Sequence, residues 1–334
     1  MENKSISEKN WKNLWKKCNG SIYQSIEWAK IKDKAGSNPI FLTYAENKTL
    51  KAGIFAFEQN IKTPLGTKKI LVTEGAPIFS EKKSGIKILK IFKEKSKDYF
   101  YGTIAVPIVD YMDLLSNLKE DIFSKAEYKR VDNHTILLDL EKLPDKILQG
   151  FKRDIRKRIK KLENSAIIVE KNNPSDLLEF FDIYAETMKK GGASHSNKLF
   201  YENLNLLIRE NLATVWTAKL DKKIISGIIV LHSNNYSTYL MSGSSPDGHK
   251  IQANIILLWK AIQEAQEKGK KYFDMGGYDI EAKPGDKTYS INQFKERFGG
   301  KIVDQPTFST NNVYPFFRGL IRNFKFVKKL YKKK

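Results

Sequence analysis

A lysine set between two phenylalanines and followed by paired glycines is the strongest candidate for chemistry in this sequence. Residues 294–300 read Phe-Lys-Glu-Arg-Phe-Gly-Gly, so Phe294 and Phe298 lie one helical turn apart and are predicted to anchor a short helix. Lys295 is offset from that apolar face, so its ammonium is expected to point away from the core. A fixed ammonium can stabilise negative charge that develops on a carbonyl oxygen. Without the flanking residues, a surface lysine in a lysine-rich chain would be the simpler interpretation.

The elements that must position this lysine lie directly upstream. A predicted strand ends at Tyr239, with Ser242 and Gly243 just beyond it, and a loop over 245–250 leads into an amphipathic helix over 253–268. A short buried strand with Asp274 follows and ends at Gly276 and Gly277. Strand, helix, strand and short helix in this order make an α/β unit with its loops at one sheet edge, where such sheets bind ligands.

The paired glycines of this region have two interpretations. Gly276 and Gly277, and likewise Gly299 and Gly300, are the residue type required at positive φ or at a close backbone approach. Two helix stops and a turn would explain them equally well.

The same order of elements occurs twice along the chain. Each half is predicted to contain helices, a strand meander, a helix and a further strand, which favours an α/β fold with mixed sheets in two domains. A length of 334 residues fits two domains of ordinary size. The residues 144–164 are predicted to form one helix, and so are the residues 197–210.

The composition is strongly basic. Its formal net charge of +21 favours partners that are polyanions, such as RNA, anionic lipid or diphosphate compounds. Cys18 is the single cysteine, so no intramolecular disulfide is possible and a reducing, cytoplasmic location is expected. The four histidines lack the spacing of metal ligands, so neither a metal nor a cofactor is expected. No signal peptide and no spanning helix are expected.

Two amphipathic stretches carry much of this charge. Within residues 144–164, apolar positions recur at helical spacing, and the other face carries Arg153, Arg156, Lys157 and Lys160. Such a face can neutralise phosphates or can simply be solvated. Residues 315–334 repeat the pattern, which fits either a helix lying on an anionic membrane or a helix packed on the first domain with a free lysine tail.

A third pattern lies near the start of the chain. Gln24, Trp28 and Lys32 fall at i, i+4 and i+8, on one side of a predicted helix that follows a break at residues 18–20. A tryptophan anchor with a solvated lysine is the simpler interpretation of this spacing.

Taken together, these motifs resemble the Fem family of non-ribosomal aminoacyl- and peptidyltransferases. The resemblance includes Gln24-x-x-x-Trp28-Ala-x-x-Lys32 and also Ser242-Gly-Ser, Leu258-Trp259, Phe273-Asp274-x-Gly276-Gly277 and Phe294-Lys295-x-x-Phe298-Gly299-Gly300. In that family an amino acid moves from an aminoacyl-tRNA to the peptide of a cell-wall precursor. The implied fold is two tandem GNAT-like domains, over 1–145 and 146–314, with the basic helix 315–334 after them.

The resemblance also implies roles for residues. Lys295 would stabilise the oxyanion, with Phe294 shaping the site, and the glycine pairs, Asp274 and Phe298 would form the structural motif. Contacts to a nucleotide- or lipid-linked precursor would come from Lys32, Trp28, Tyr239, Ser242 and Gly243. Donor tRNA would be bound by Arg153, Arg156, Lys157 and Lys160. A monomer is expected, in peripheral contact with the inner face of the membrane.

The sequence departs from the family pattern in places, and other functions stay open. Glu74 stands in a loop where the family carries an arginine, Val106 stands where an acid is common, and residues 182–236 leave no room for the helical arm that some members insert. N-acylation by acyl-CoA is an alternative, although Asp247-Gly-His-Lys-Ile-Gln-Ala253 does not match a CoA loop. A non-catalytic module that binds polyanions is another.

Overall fold

The fold is described by a computed structural model that covers residues 7–63, 66–190 and 198–319. The chain divides into two compact units. Unit 1 contains the described residues up to Asp132 together with those from Gln305 onward, and unit 2 contains those from Asn133 to Asp304. The division into domains at 145/146, made from the sequence, stays a prediction.

The helices and strands follow one another closely along the chain. The helices are α1 (Glu8–Lys17), α2 (Ile26–Lys34), α3 (Lys82–Lys95), α4 (Ile108–Leu118), α5 (Ile122–Lys125), α6 (Pro144–Gly150), α7 (Arg153–Glu163), α8 (Asp176–Lys190), α9 (Lys198–Asn203), α10 (Asn205–Arg209), α11 (Pro246–Ile251), α12 (Asn254–Glu267) and α13 (Lys287–Glu296). The strands are β1 (Pro39–Glu46), β2 (Thr49–Thr63), β3 (Gly66–Glu74), β4 (Ile78–Phe79), β5 (Gly102–Ala105), β6 (Lys129–Asp139), β7 (Ile168–Lys171), β8 (Ala213–Leu220), β9 (Lys223–His232), β10 (Tyr236–Ser244), β11 (Tyr272–Gly277) and β12 (Lys301–Ser309). The α/β class predicted from the sequence is confirmed.

Unit 1 is built on a mixed sheet in the order β1-β2-β3-β5-β12. Strands β3 and β5 run parallel, and β5 pairs antiparallel with the end of β12 through Thr307 and Ser309. Aromatic residues fill the core beside this sheet. Phe123 and Phe308 stack face to face with ring centroids 3.8 Å apart, so the returning strand β12 is packed into the core of unit 1.

Unit 2 is built on a sheet in the order β6-β11-β10-β9-β8-β7. Strands β10 and β11 are parallel, and the other neighbours are antiparallel. Helices α7 and α12 bury their apolar faces in one core, which includes Ile155, Leu258 and Phe273. Each fully buried side chain of this size contributes on the order of 1.5–3 kcal/mol.

The parallel strands of unit 2 pair only over a short distance. Tyr236, Ser237 and Thr238 face Tyr272, Phe273 and Asp274, and the registered pairing then ends, although β10 continues to Ser244 and β11 to Gly277. Beyond this point the backbone groups of the two strands are no longer used to join them.

Three expectations about helices were wrong in detail. The single helix predicted over 144–164 is two helices, because Phe151 takes an extended conformation (ψ 152°) and its ring enters the core against Trp259 and Phe298. The loop predicted over 245–250 contains α11, which Ser245 caps by accepting the Gly248 N–H. The helix predicted over 197–210 is divided into α9 and α10.

The end of the chain is described only in part. Residues 313–319 are helical, and the remainder of the predicted basic helix 315–334 lies outside the described residues. Among the residues that the structure describes, no helix is long and apolar enough to cross a membrane.

Candidate active site

Lys295 lies on helix α13 of unit 2, next to a group of packed aromatic rings. The rings of Phe294 and Phe298 are 5.4 Å apart, and Phe298 also contacts the ring of Phe151 at 5.2 Å. Phe298 is 1% exposed, so it holds the end of α13 in the core. The packing of these rings fixes the direction in which the Lys295 side chain leaves the helix.

Lys295 is far more buried than its place on the helix predicts. Its side chain was expected to point away from the core, yet the residue is only 8% exposed. Its Nζ donates a hydrogen bond to the carbonyl oxygen of Gly277 at 2.7 Å. Burial lowers the pKa of Lys295 to about 8, and the charge of Asp274 opposes that shift. A neutral carbonyl is therefore the hydrogen-bonding neighbour of a desolvated ammonium.

Asp274 holds the turn that presents this carbonyl. Its Oδ1 accepts the backbone N–H of Gly276 at 2.8 Å and the hydroxyl of Thr135. Both side chains are buried, and burial raises the pKa of Asp274. Gly276 has φ +75°, which side chains with a Cβ seldom adopt. The requirement for glycine here is therefore conformational.

The end of β10 lies against the same turn. A Cβ on Gly276 would be 3.1 Å from the Tyr239 carbonyl oxygen and 3.6 Å from Lys295 Nζ. The Tyr239 hydroxyl donates to Ser242 Oγ, and burial raises the pKa of Tyr239 to about 12, so the phenol stays neutral. The structure thus brings Tyr239 and Ser242 together beside β11.

Gly243, Gly299 and Gly300 allow neighbouring segments to pack closely against the motif. A Cβ on Gly243 would be 2.8 Å from the Tyr184 Cα, and one on Gly299 would be 2.9 Å from the Gly150 carbonyl oxygen. Gly300, at φ +87°, leaves 2.8 Å to the Ile136 side chain. These glycines let α8, α6 and β6 approach the site closely.

The four basic residues predicted to bind RNA do not share one environment. Arg153, Lys157 and Lys160 are exposed on α7. Arg156 instead donates to the carbonyl oxygens of Gln149, at 3.0 Å, and Phe151. Arg156 therefore stabilises the break between α6 and α7, and the other three form the basic face of α7.

A separate cluster in unit 1 contains Gln24, Trp28 and Lys32. The prediction that all three lie on one helix was wrong for Gln24, because it ends a 3₁₀ turn and α2 begins only at Ile26, after the extended residue Ser25. The Gln24 amide, fully buried, lies between β2 and β3. Its Nε2 donates to Thr73 Oγ1 and to the Glu74 carbonyl at 2.8 Å each, and its Oε1 accepts the Phe55 N–H at 2.7 Å. Nothing in the helical spacing predicts that this glutamine completes a sheet.

Lys32 in this cluster is paired with a carboxylate. Its Nζ lies 3.2 Å and 3.1 Å from the two oxygens of Glu74, and the Trp28 indole N–H donates to the same carboxylate at 2.9 Å. The ammonium also lies 4.5 Å from the centre of the Phe57 ring. The sequence marked Glu74 as a departure from the family pattern but did not identify it as the partner of Lys32.

The start of α12 shows how its backbone amides are used. The N–H groups of Gln252, Ala253 and Ile255 donate to His249, Gly248 and Gln252 carbonyls at 2.9–3.1 Å. In addition, a Cβ on Gly248 would be 1.9 Å from the Ile225 carbonyl oxygen, so α11 is packed tightly on β9. These amides serve the helix itself rather than facing a ligand.

Comparisons with known proteins match both the sequence and the fold. Residues 149–290 match the profile of the family described as acetyltransferase (GNAT) domain. Lipid II:glycine glycyltransferase of Staphylococcus epidermidis is 21% identical, with 86% of each chain covered. The crystal structure of FemX superposes with a TM-score of 0.73 at 16% identity, over 95% of this chain and 99% of that chain. L-PGS from Bacillus licheniformis superposes with a TM-score of 0.59 at 13% identity, over 100% and 99%.

The fold and these matches support an acyltransferase with a GNAT fold as the class of protein. The more particular resemblance, to the Fem family, is confirmed by the S. epidermidis glycyltransferase and by FemX.

Proposed function

We propose that this protein is an aminoacyltransferase that moves an amino acid, such as glycine, from aminoacyl-tRNA to an amine of a peptidoglycan-type precursor. The buried Lys295 ammonium, held against Gly277 where β11 has separated from β10, carries this proposal. The S. epidermidis relative, named for glycyl transfer to lipid II, supports a lipid-linked precursor as the acceptor.

The chemistry suits a site that contains an ammonium. The acceptor amine attacks the ester carbonyl, a C–N bond forms, and the ester C–O bond breaks as the ribose hydroxyl leaves with the proton that the amine gives up. An aminoacyl ester is already activated, so the protein must align the reactants and stabilise the oxyanion. The Lys295 ammonium interacts more strongly with the oxyanion than with the neutral ester, which lowers the barrier.

The start of α12 supports an RNA donor over acyl-CoA. CoA-dependent members of this fold bind the pyrophosphate on free backbone amides where a loop enters a helix. Here the backbone amides of Gln252, Ala253 and Ile255, at the junction of α11 and α12, are hydrogen-bonded to carbonyl oxygens of the preceding turn. The exposed residues Arg153, Lys157 and Lys160 offer a basic face for RNA phosphates instead.

The acceptor would be bound with the help of unit 1. Lys32 would contact the phosphate of the precursor, whereas Trp28, only 3% exposed, would hold the Lys32 ammonium and would not meet the precursor itself. Glu74 competes for that ammonium, so phosphate binding requires Lys32 to exchange partners. Tyr239 and Ser242, both partly exposed, would contact the precursor peptide in unit 2, whereas Gly243 is buried against α8 and is not among these contacts. The enzyme would act as a cytoplasmic monomer, in peripheral contact with the membrane that holds a lipid-linked acceptor.

The test is a transfer assay with two donors. Purified protein is incubated with a lipid- or nucleotide-linked precursor and either a radiolabelled aminoacyl-tRNA or an acyl-CoA. We expect label to reach the precursor from aminoacyl-tRNA and not from acyl-CoA. Transfer from acyl-CoA alone would identify the alternative N-acyltransferase. Binding of tRNA and of the precursor without any transfer would identify a non-catalytic module.

A further inference from the structure

We propose that Asp274, supported by Thr135, is the positioning residue that fixes the Gly276–Gly277 turn against which Lys295 is held. The proposal rests on the proposed function, in which Lys295 stabilises the oxyanion. It adds a residue that touches no substrate and acts on the reaction through Lys295.

Three hydrogen bonds and the backbone of Gly276 and Gly277 connect Thr135 to Lys295. Thr135, on β6, is fully buried and donates its hydroxyl to Asp274 Oδ1. The same oxygen accepts the Gly276 N–H at 2.8 Å, which fixes Gly276 at φ +75°. The carbonyl oxygen of the following residue, Gly277, accepts a hydrogen bond from Lys295 Nζ at 2.7 Å. Loss of the carboxylate would free the Gly276 N–H, and the Gly277 carbonyl would then be held from one side only, by the Tyr278 N–H bond to the His134 carbonyl on β6.

The register of the strands gives the same result. Pairing of β11 with β6 is interrupted after Asp274 and resumes where Gly277 faces Thr135, so the sheet itself does not hold Met275 and Gly276. Pairing of β11 with β10 has already ended at Asp274. A side chain therefore supplies the restraint that strand pairing supplies elsewhere.

Asp274 also acts on Lys295 by charge. Its charge raises the pKa of Lys295, against the larger lowering by burial. The other titratable groups around the turn are three tyrosines, Glu296 and, on β6, His134, whose backbone carbonyl accepts the Tyr278 N–H at 2.7 Å. Tyr239 on β10 and Tyr278 after β11 have a pKa of about 12, burial raises the pKa of Tyr184 on α8, and Glu296 on α13 accepts the Tyr278 hydroxyl at 2.6 Å.

Two substitutions separate geometry from charge. Asp274→Asn keeps an oxygen that can accept both hydrogen bonds but removes the charge. Thr135→Val keeps the charge but removes one donor, and Thr135→Ser restores that donor. Each variant is first compared with the wild type by its melting temperature, so that folding and function are assessed apart.

The first measurement follows Lys295 alone and needs no substrate. In protein labelled with ¹³C-lysine, the Lys295 signal is assigned by its absence from Lys295→Met and is titrated with pH. We expect the midpoint to move below the wild-type value in Asp274→Asn and to stay near it in Thr135→Val. An unchanged midpoint in Asp274→Asn would overturn the electrostatic part of the proposal, whatever the donor proves to be.

The second measurement is the transfer rate. We expect kcat to fall on the order of 10–100-fold in Asp274→Ala, with the acceptor KM nearly unchanged, because the reacting groups are misplaced. Thr135→Val should fall in the same direction and Thr135→Ser should recover. A near-wild-type kcat in a folded Asp274→Ala protein would overturn the positioning role. Absence of transfer in the wild type would reject the proposed function instead, and leave the titration as the test of the turn.

Discussion

The two units use a similar crossover from one parallel strand to the next, but the two parallel strands separate from each other earlier in unit 2. In unit 1, β3 and β5 pair over four residues, and Gly75 extends the pairing by donating its N–H to the Ala105 carbonyl at 2.8 Å. In unit 2, β10 and β11 pair over three, and both strands then continue without each other. The backbone of unit 1 is therefore occupied at the position where unit 2 can meet a ligand.

The lysines of the two units differ in the same way. Lys32 faces the Glu74 carboxylate at 3.1 Å, so its charge is largely balanced by a direct partner. Lys295 meets the Gly277 carbonyl, and its opposing charge, on Asp274, acts without an ion pair to it among the described contacts. A balanced pair is suited to binding, whereas a desolvated ammonium against a neutral group is suited to stabilising a charge that appears during the reaction. Under the proposed function, this difference favours acceptor binding at Lys32 in unit 1 and chemistry at Lys295 in unit 2.

The largest expected effect comes from removing the ammonium group of each lysine in turn. Lys295→Met should lower kcat on the order of 10²–10³-fold, because one oxyanion donor is lost, with the acceptor KM nearly unchanged. Lys32→Ala should instead raise the acceptor KM more than it lowers kcat. Steady-state transfer assays separate the two, with the exposed Lys301→Met as the matched control. A kcat near that of the wild type in Lys295→Met would remove the contrast.

The next effect is on the pH dependence of the rate. If Lys295 acts as an ammonium, kcat should fall as the pH rises through about 8, by about tenfold per pH unit above that value. Lys295→Arg, whose guanidinium stays charged, should lose this descending limb even if its rate is low. A rate that rises through the same pH in the wild type and not in Lys295→Arg would identify the neutral amine as a base instead.

A smaller effect separates the two left-handed glycines. Gly276 (φ +75°) and Gly75 (φ +88°) should both lose about 1–2 kcal/mol of stability when changed to alanine. Only Gly276→Ala is expected to lower kcat, by about tenfold, because its Cβ would approach Tyr239 and Lys295. Thermal unfolding and kcat, measured on both variants, test this. Equal losses of kcat would mean that strain alone is responsible.

The smallest effect concerns the ion pair of unit 1. Glu74→Gln should lower the acceptor KM by no more than about fivefold, since a partly exposed pair is worth about 1 kcal/mol at most. The reason is that Lys32 no longer has to leave a carboxylate to reach a phosphate. Titration of the precursor onto both proteins measures it. Weaker binding in Glu74→Gln would show that the carboxylate itself contacts the acceptor.

The sequence predicted those parts of the molecule that depend on local pattern. Hydrophobic periodicity located α12, and the short buried strand with Asp274 is β11, which ends at Gly277 as predicted. The helix over 144–164 was predicted too long because its break depends on Phe151 reaching Trp259 and Phe298, residues far away in sequence.

The candidate site was predictable in its residues but not in its contacts. The motif identified Lys295 and the glycine pairs, yet no local signal indicates that Lys295 is buried or that Thr135 supports Asp274 from a distant strand. In the same way, the partner of Lys32 is 42 residues away. Such pairs form only when the sheet is complete, so they cannot be derived from spacing along one helix.

The return of β12 to the core of unit 1 has a consequence for when the protein folds during its synthesis. Thr307 to Ser309 pair with β5, the Thr310 hydroxyl accepts the Gly102 N–H at 3.0 Å, and Phe308 stacks on Phe123. Unit 2, by contrast, is one continuous segment. A ribosome that adds about 5–20 residues per second needs on the order of ten to thirty seconds to go from the end of the first segment of unit 1 to Phe308. During that interval the core of unit 1 lacks the Phe308 ring, and unit 2 is itself complete only at Asp304, so both units are expected to finish folding late in synthesis.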